Sequence, residues 1–165
     1  MTQTHSRRKS TGKLLRAALR YLRKQETRVV RRARTGHMTP DRLRHTMEGE
    51  NRRGYHYRPG GEDFPHRRTG PVLARDPHTG VYRAEVEFEV PPGSGNWAPK
   101  AGNGGVSTFF PDHWTPQQVD RSVRDAFQNG TRHPDGSWTG TAGGIQIRGY
   151  YDQVTGALRH GFPRM

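Results

Sequence analysis

The chain has 165 residues, only 29% of them hydrophobic, and a formal net charge of +13; this bounds it to one small core with an extension. With no cysteine, a disulfide framework and a thiolate metal site are excluded. No apolar run is long enough to span a bilayer, and Arg or Lys interrupts every apolar run near the start, so no secretory signal is expected.

The charge is uneven. Twelve basic residues and a single acid, Glu26, fall within residues 1–36, and the remainder is nearly balanced. Two units are therefore expected: a basic helical arm over 1–36 and a folded domain over 37–165. Such an arm suits nucleic acid, an anionic membrane or an acidic protein, and does not choose among them. Its acid-poor, Arg-rich composition also fits a transit segment. Leu14, Leu15, Ala18, Leu19 and Leu22 recur at helical spacing, which predicts an amphipathic basic helix continuing to Arg34.

Gly36 interrupts that pattern. Thr39-Pro40-Asp41 then reads as an N-cap with proline at the first helical position, predicting a short helix over Pro40–Met47 with His45 near its end. Residues 51–80, rich in Gly, Pro and Arg, predict loops and one short strand around Tyr55–Tyr57. Val81–Val90 alternates strictly, with Tyr82, Ala84, Val86, Phe88 and Val90 facing the core and Arg83, Glu85, Glu87 and Glu89 facing water. A glycine-rich loop over Pro91–Gly105 follows. Thr115-Pro-Gln-Gln118 predicts a capping box, with Val119, Val123, Ala126 and Phe127 as the buried stripe and Gly130 as the stop. Three more strands are expected at Ser137–Thr141, Gly144–Tyr151 and Ala157–Phe162, the last two joined by a hairpin loop at Asp152–Gly156. The order indicates an α+β fold with an antiparallel sheet and a packed helix. Trp97 and Trp114 are expected as anchors, and at most one of Tyr150 and Tyr151 should face a cleft.

Nine histidines raise the question of a metal. They are scattered, without a His-Glu-x-x-His run, and His113 and His133-Pro-Asp135 imitate only fragments of a ligand set; no metal site is expected. Two histidines are close in sequence, His45 and His56, with Arg52, Arg53 and Arg58 around them. Cleavage of RNA by its own 2′-hydroxyl needs a base for that proton, an acid for the departing 5′ oxygen, and a cation or N–H donor for the charge on phosphorus. Two imidazoles in opposite protonation states can fill the first two roles. DNA lacks the hydroxyl, so the chemistry itself selects RNA.

The segment His45-Thr-Met-Glu-Gly-Glu-Asn-Arg-Arg-Gly-Tyr-His56 resembles the histidine segment of bacterial EndoU nuclease domains. Gly80-Val-Tyr-Arg-Ala-Glu-Val looks like the strand that follows it, and Ser107-Thr-Phe-Phe-Pro-Asp-His-Trp114 like the later signature. Gly144-Ile-Gln-Ile-Arg-Gly-Tyr through Phe162-Pro163 is similar to the closing strands. The likeness covers residues 45–163, with the motifs in family order. It implies a fold of the EndoU and barnase-like ribonuclease group, and metal-independent cleavage without a cofactor that leaves a 2′,3′-cyclic phosphate, often after uridine. The family's two catalytic histidines map onto His45 and His56, and its hydroxyl residue onto Ser107 or Thr108, with Thr108 taken as catalytic and Ser107 as substrate-binding. Its catalytic lysine maps onto Lys100, at a longer offset than usual, so Arg148 or Arg58 could substitute in that role; both are also expected to bind substrate. Its closing aromatic maps onto Phe162, which keeps a stacking surface but lacks the phenol hydroxyl of many relatives.

Such domains commonly form toxic modules in bacterial competition. The resemblance thus implies RNA as partner, tRNA among the candidates, a cognate acidic immunity protein, and delivery into a target cell's cytoplasm. The rival reading is a non-enzymatic basic nucleic-acid-binding protein, in which the arm binds and the histidines are incidental.

Overall fold

The computed structural model describes residues 2–165, with side chains from residue 12 onward. The charges of Arg7, Arg8 and Lys9 in the arm lie outside the described side chains. Helix α1 spans Thr2–Gln25 and buries Ala18 and Leu22, with Leu15, Leu19 and Tyr21 packed alongside. It does not continue to Arg34 as the spacing suggested. The chain turns after Gln25, where Thr27 Oγ1 donates to the Lys24 carbonyl at 3.2 Å, and a separate helix α2 runs over Val29–Arg34. Local side-chain bonding of this kind competes with helix propagation.

That turn aims Arg32 inward. The residue is 3% exposed, and its guanidinium donates twice to Asp120, with both contacts at 2.8 Å, and once more to the Met38 carbonyl at 2.7 Å. Tyr21 donates its hydroxyl to the same carboxylate at 2.6 Å, and Gln25 accepts from Arg32 at 3.0 Å. A buried ion pair offsets its desolvation cost only when its remaining hydrogen-bonding capacity is met in this way. The network fastens α1 and α2 to helix α4 (Pro116–Asn129).

Helix α3 covers Pro40–Met47, capped by Thr39, whose Oγ1 accepts from the Arg42 amide at 3.3 Å. No regular strand forms at Tyr55–Tyr57. Asn51, Arg52, Gly54 and Tyr55 adopt positive φ, which no strand accommodates. The strand of this region lies later, at β1 (Arg67–Arg75). Gly70-Pro71 and a largely exposed side-chain pattern conceal it in the sequence, and pairing with its neighbour holds it despite two register shifts. Proline is tolerated there because β1 is an edge strand.

Strand β2 (Tyr82–Glu89) follows the expected alternation, while Val90 is exposed. It pairs with β1 on one side and on the other with β3 (Trp97–Pro99) and β4 (Val106–Phe109) in succession. A second antiparallel sheet runs in the order β5 (Thr131–Arg132), β6 (Ser137–Ala142), β7 (Ile145–Tyr151), β8 (Leu158–Pro163). The fold is α+β as expected, with its strands divided between two sheets. Helix α4 carries the full capping box and packs on β6 and β8. A Cβ at Gly140 would lie 2.0 Å from the Ala126 carbonyl oxygen, so only glycine lets helix and sheet approach this closely. One hydrophobic cluster joins both sheets with α1, α3 and α4.

Candidate active site

The segment after α3 folds back on the end of that helix through two backbone hydrogen bonds, which bring the chain carrying His56 alongside the turn carrying His45. The Tyr55 amide donates to the His45 carbonyl at 3.1 Å, and the His56 amide donates to the Thr46 carbonyl at 2.8 Å. Gly54 makes this return possible. It has φ of +75°, and a Cβ there would stand 2.1 Å from the His45 carbonyl oxygen. The segment is fixed on its other side, where the Phe110 amide donates to the His56 carbonyl at 2.8 Å.

The His56 ring is oriented by β4. Its Nδ1 lies 2.8 Å from the Thr108 carbonyl oxygen and 3.2 Å from Ser107 Oγ. A carbonyl only accepts, so Nδ1 carries the hydrogen and Nε2 is left with its lone pair. Ser107 donates its hydroxyl to the Tyr55 carbonyl at 2.5 Å, and its oxygen accepts from Lys100 Nζ at 3.0 Å. Lys100 is thereby brought to the histidines from the end of β3. Its own amide bonds to the Val86 carbonyl, and the next amide, of Ala101, bonds to the Arg52 carbonyl.

Strand β8 supplies the opposite wall. His160 and Phe162 share one face of it, two residues apart, and antiparallel pairing sets them across from Tyr150 and Arg148 of β7. Four rings form a row. His45 lies 4.7 Å from His160, His160 lies 6.4 Å from Phe162, and Phe162 stacks on His56 at 5.1 Å and 20°. The Thr46 hydroxyl donates to the Gly161 carbonyl at 3.2 Å and closes α3 onto β8.

Burial and positive charge set the protonation of this row. Burial, then Lys100, push the His56 imidazole well below its ordinary value, with the Thr108 carbonyl opposing. Burial, then Arg42 and Lys100, lower His45 to a lesser depth of enclosure. His160 is pushed down to about 3, by burial first and then by His45 and Arg42. Burial alone brings the Lys100 ammonium down to about 8. The site can therefore hold neutral imidazoles beside one poorly solvated cation.

The structure gathers His45, His56, Lys100, Ser107 and Phe162 in one place. Ser107 is buried and turned toward His56 and Lys100. Thr108 is the next residue on the strand, so its side chain points to the other face, and it reaches the site through its carbonyl. Arg148 shares the β7–β8 face opposite Phe162. Arg58 is engaged elsewhere, donating to Asp63 at 3.0 Å and to the Tyr82 hydroxyl at 3.3 Å. Tyr150 packs against His160, whereas Tyr151 turns away and donates to the His133 carbonyl at 2.6 Å. His160 went unnoticed in the sequence. Its one signal was its place two residues before Phe162 on a strand. Trp114 is buried against Phe110, and Trp97 lies under the Arg68 guanidinium at 4.4 Å. Among the described residues no group of three or more His, Cys, Asp or Glu side chains is placed to hold a metal ion, and no helix is long and apolar enough to cross a membrane.

Residues 39–165 match the family of bacterial EndoU nucleases. A protein of Bacillus cereus strain ATCC 14579, named Toxin, is 31% identical over 134 residues, covering 75% of this chain and 22% of its own length. The chain thus spans about a fifth of that relative. With the matched segment opening at the α3 cap and containing every residue of the ring row, the chain belongs to the bacterial EndoU nuclease family.

Proposed function

We propose that this nuclease cleaves RNA without a metal ion, using the ribose 2′-hydroxyl as nucleophile. The observation that carries the reading is the convergence of His45, His56 and Lys100. Two imidazoles from one backbone return are walled by β8, and a partly desolvated ammonium is held beside them by Ser107.

His56 suits the general base. Its Nδ1 hydrogen is committed to the Thr108 carbonyl, it stays neutral, and Nε2 is free to take the 2′-hydroxyl proton. The O2′–P bond forms as the P–O5′ bond breaks. His45, lowered less than His56 and His160 and so the most readily protonated of the three imidazoles, acts in its protonated form and gives that proton to the departing O5′. Lys100 stabilises the charge that develops on the phosphoryl oxygens, where low dielectric strengthens its effect. The products are a 2′,3′-cyclic phosphate and a 5′-hydroxyl. Phe162 has one face on His56 and offers the other to a base, and Arg148 beside it offers a cation to a phosphate. Ser107 orders Lys100 and His56 from beneath.

The Bacillus cereus relative named Toxin supports a further reading, that the chain is a toxic module that enters a rival cell's cytoplasm and is held in check by an acidic immunity protein covering the basic cleft. The test of the chemistry is incubation of the full chain with total RNA in EDTA and mapping of the ends. Cyclic phosphate ends, lost in His45→Ala and His56→Ala variants that still fold, support the reading. Silence in EDTA with activity restored by a divalent ion would overturn it, as would full activity in either variant. Binding without cleavage would favour a nucleic-acid-binding role.

A further inference from the structure

His160 has no part in the chemistry set out above, yet its ring lies against that of His45. Its ring centroid is 4.7 Å from that of His45. No hydrogen bond from the His45 side chain to another described residue is present, so the orientation of this ring is set by packing, and His160 is its aromatic neighbour. The Thr46–Gly161 hydrogen bond clamps the backbones of α3 and β8 directly beside the contact. His160 Nδ1 is itself buried and has no partner among the described residues.

That orphan nitrogen decides the ring's state. A protonated His160 would bury a charged N–H with nothing to accept it, a cost far above that of an unused lone pair. The neutral ring with its hydrogen on Nε2 leaves only the lone pair unsatisfied. The surroundings press the same way. His45 and Arg42 face it from α3, Arg159 from its own strand, Lys100 from beyond β3, and Tyr150 packs on it from β7. Around His45 the charged neighbours are Arg42, Lys100 and Arg53, opposed by Glu50.

We propose that His160 is a positioning residue for His45: an imidazole with an unpartnered, buried Nδ1 that holds the His45 ring where it hands its proton to the departing oxygen. It transfers no proton itself. Its contribution is a flat, uncharged wall that orients His45 and keeps water from it. This rests on the assignment of His45 as the acid, but part of the test does not.

The experiment compares the wild type with His160→Phe, which keeps a ring without nitrogens, and His160→Ala, which opens the wall. Histidine-labelled protein is titrated by NMR, and RNA cleavage is followed against pH. His45 in His160→Ala should titrate higher, toward the ordinary imidazole value, and the alkaline limb of the rate profile should move up with it while kcat falls at least tenfold. His160→Phe should restore the wild-type His45 titration and most of kcat. Loss of activity in His160→Phe equal to that in His160→Ala would overturn the proposal in favour of direct proton transfer. Unchanged His45 titration and rate profile in His160→Ala would overturn it outright. If the wild type fails to cleave RNA, the proposed function falls, while the NMR comparison still decides whether His160 governs His45.

Discussion

Lys100 Nζ donates to Ser107 Oγ at 3.0 Å, and this oxygen is the only acceptor that holds the ammonium among the described residues. Because Ser107 gives its own hydrogen to the Tyr55 carbonyl, its lone pairs are turned toward Lys100 and the His56 ring. Ser107→Ala removes the acceptor and leaves the cation unplaced. A hydrogen bond to a charged group contributes about 1.5–3 kcal/mol, so kcat is expected to drop about 10- to 100-fold with little change in KM. Steady-state cleavage of a short RNA measures this, and an unaffected kcat would show that Lys100 needs no such tether.

The depressed imidazoles make the fold sensitive to acid. His45, His56 and His160 all have folded-state values below the ordinary 6.5. Well above 6.5 both states are almost entirely deprotonated, and these groups contribute little to the pH dependence. As pH falls below 6.5 the unfolded chain takes up protons that the folded chain refuses, so stability declines. Thermal unfolding between pH 7 and 5 should show Tm falling with pH, with Glu48, whose carboxyl is raised by burial, opposing the trend. His160→Phe should flatten that slope, since a phenyl ring binds no proton.

The attachment of α1 and α2 to α4 rests on Arg32 and Asp120, whose side chains are 4% and 1% exposed. Arg32→Ala leaves a buried carboxylate unpaired and should cost about 3–5 kcal/mol. Replacing both partners, with Arg32→Met and Asp120→Leu, should cost less than the single change. Urea unfolding of the three proteins distinguishes these outcomes.

Gly54 tests the backbone return that pairs the histidines. Gly54→Ala combines a strained left-handed conformation, about 1–3 kcal/mol, with a collision against the His45 carbonyl. Cleavage should be lost even where the protein remains folded. Gly156→Ala is the control, since Gly156 has φ of +77° with nothing within 4 Å of a Cβ. That variant should lose stability by strain alone and keep its activity.

Much of this was legible in the chain itself. Thr39-Pro40 and Thr115-Pro116-Gln-Gln118 place α3 and α4 because capping is local chemistry, decided within four residues. The alternation of Val81–Val90 places β2 because one face of that strand is wet. His45 and His56 could be paired because only ten residues separate them, with arginines between and after.

Tertiary structure alone decided the rest. Strand β1 has little pattern of its own, as its Gly70-Pro71 interruption is overruled by hydrogen bonds from β2. The turn that ends α1 is confirmed by a partner 88 residues away, Asp120, which takes Arg32. Lys100, Ser107 and His160 meet the histidines only because β4 and β8, one from each sheet, are brought together. Local propensities act over a few residues, whereas burial of a cation or an imidazole is settled by whichever distant elements exclude water from it.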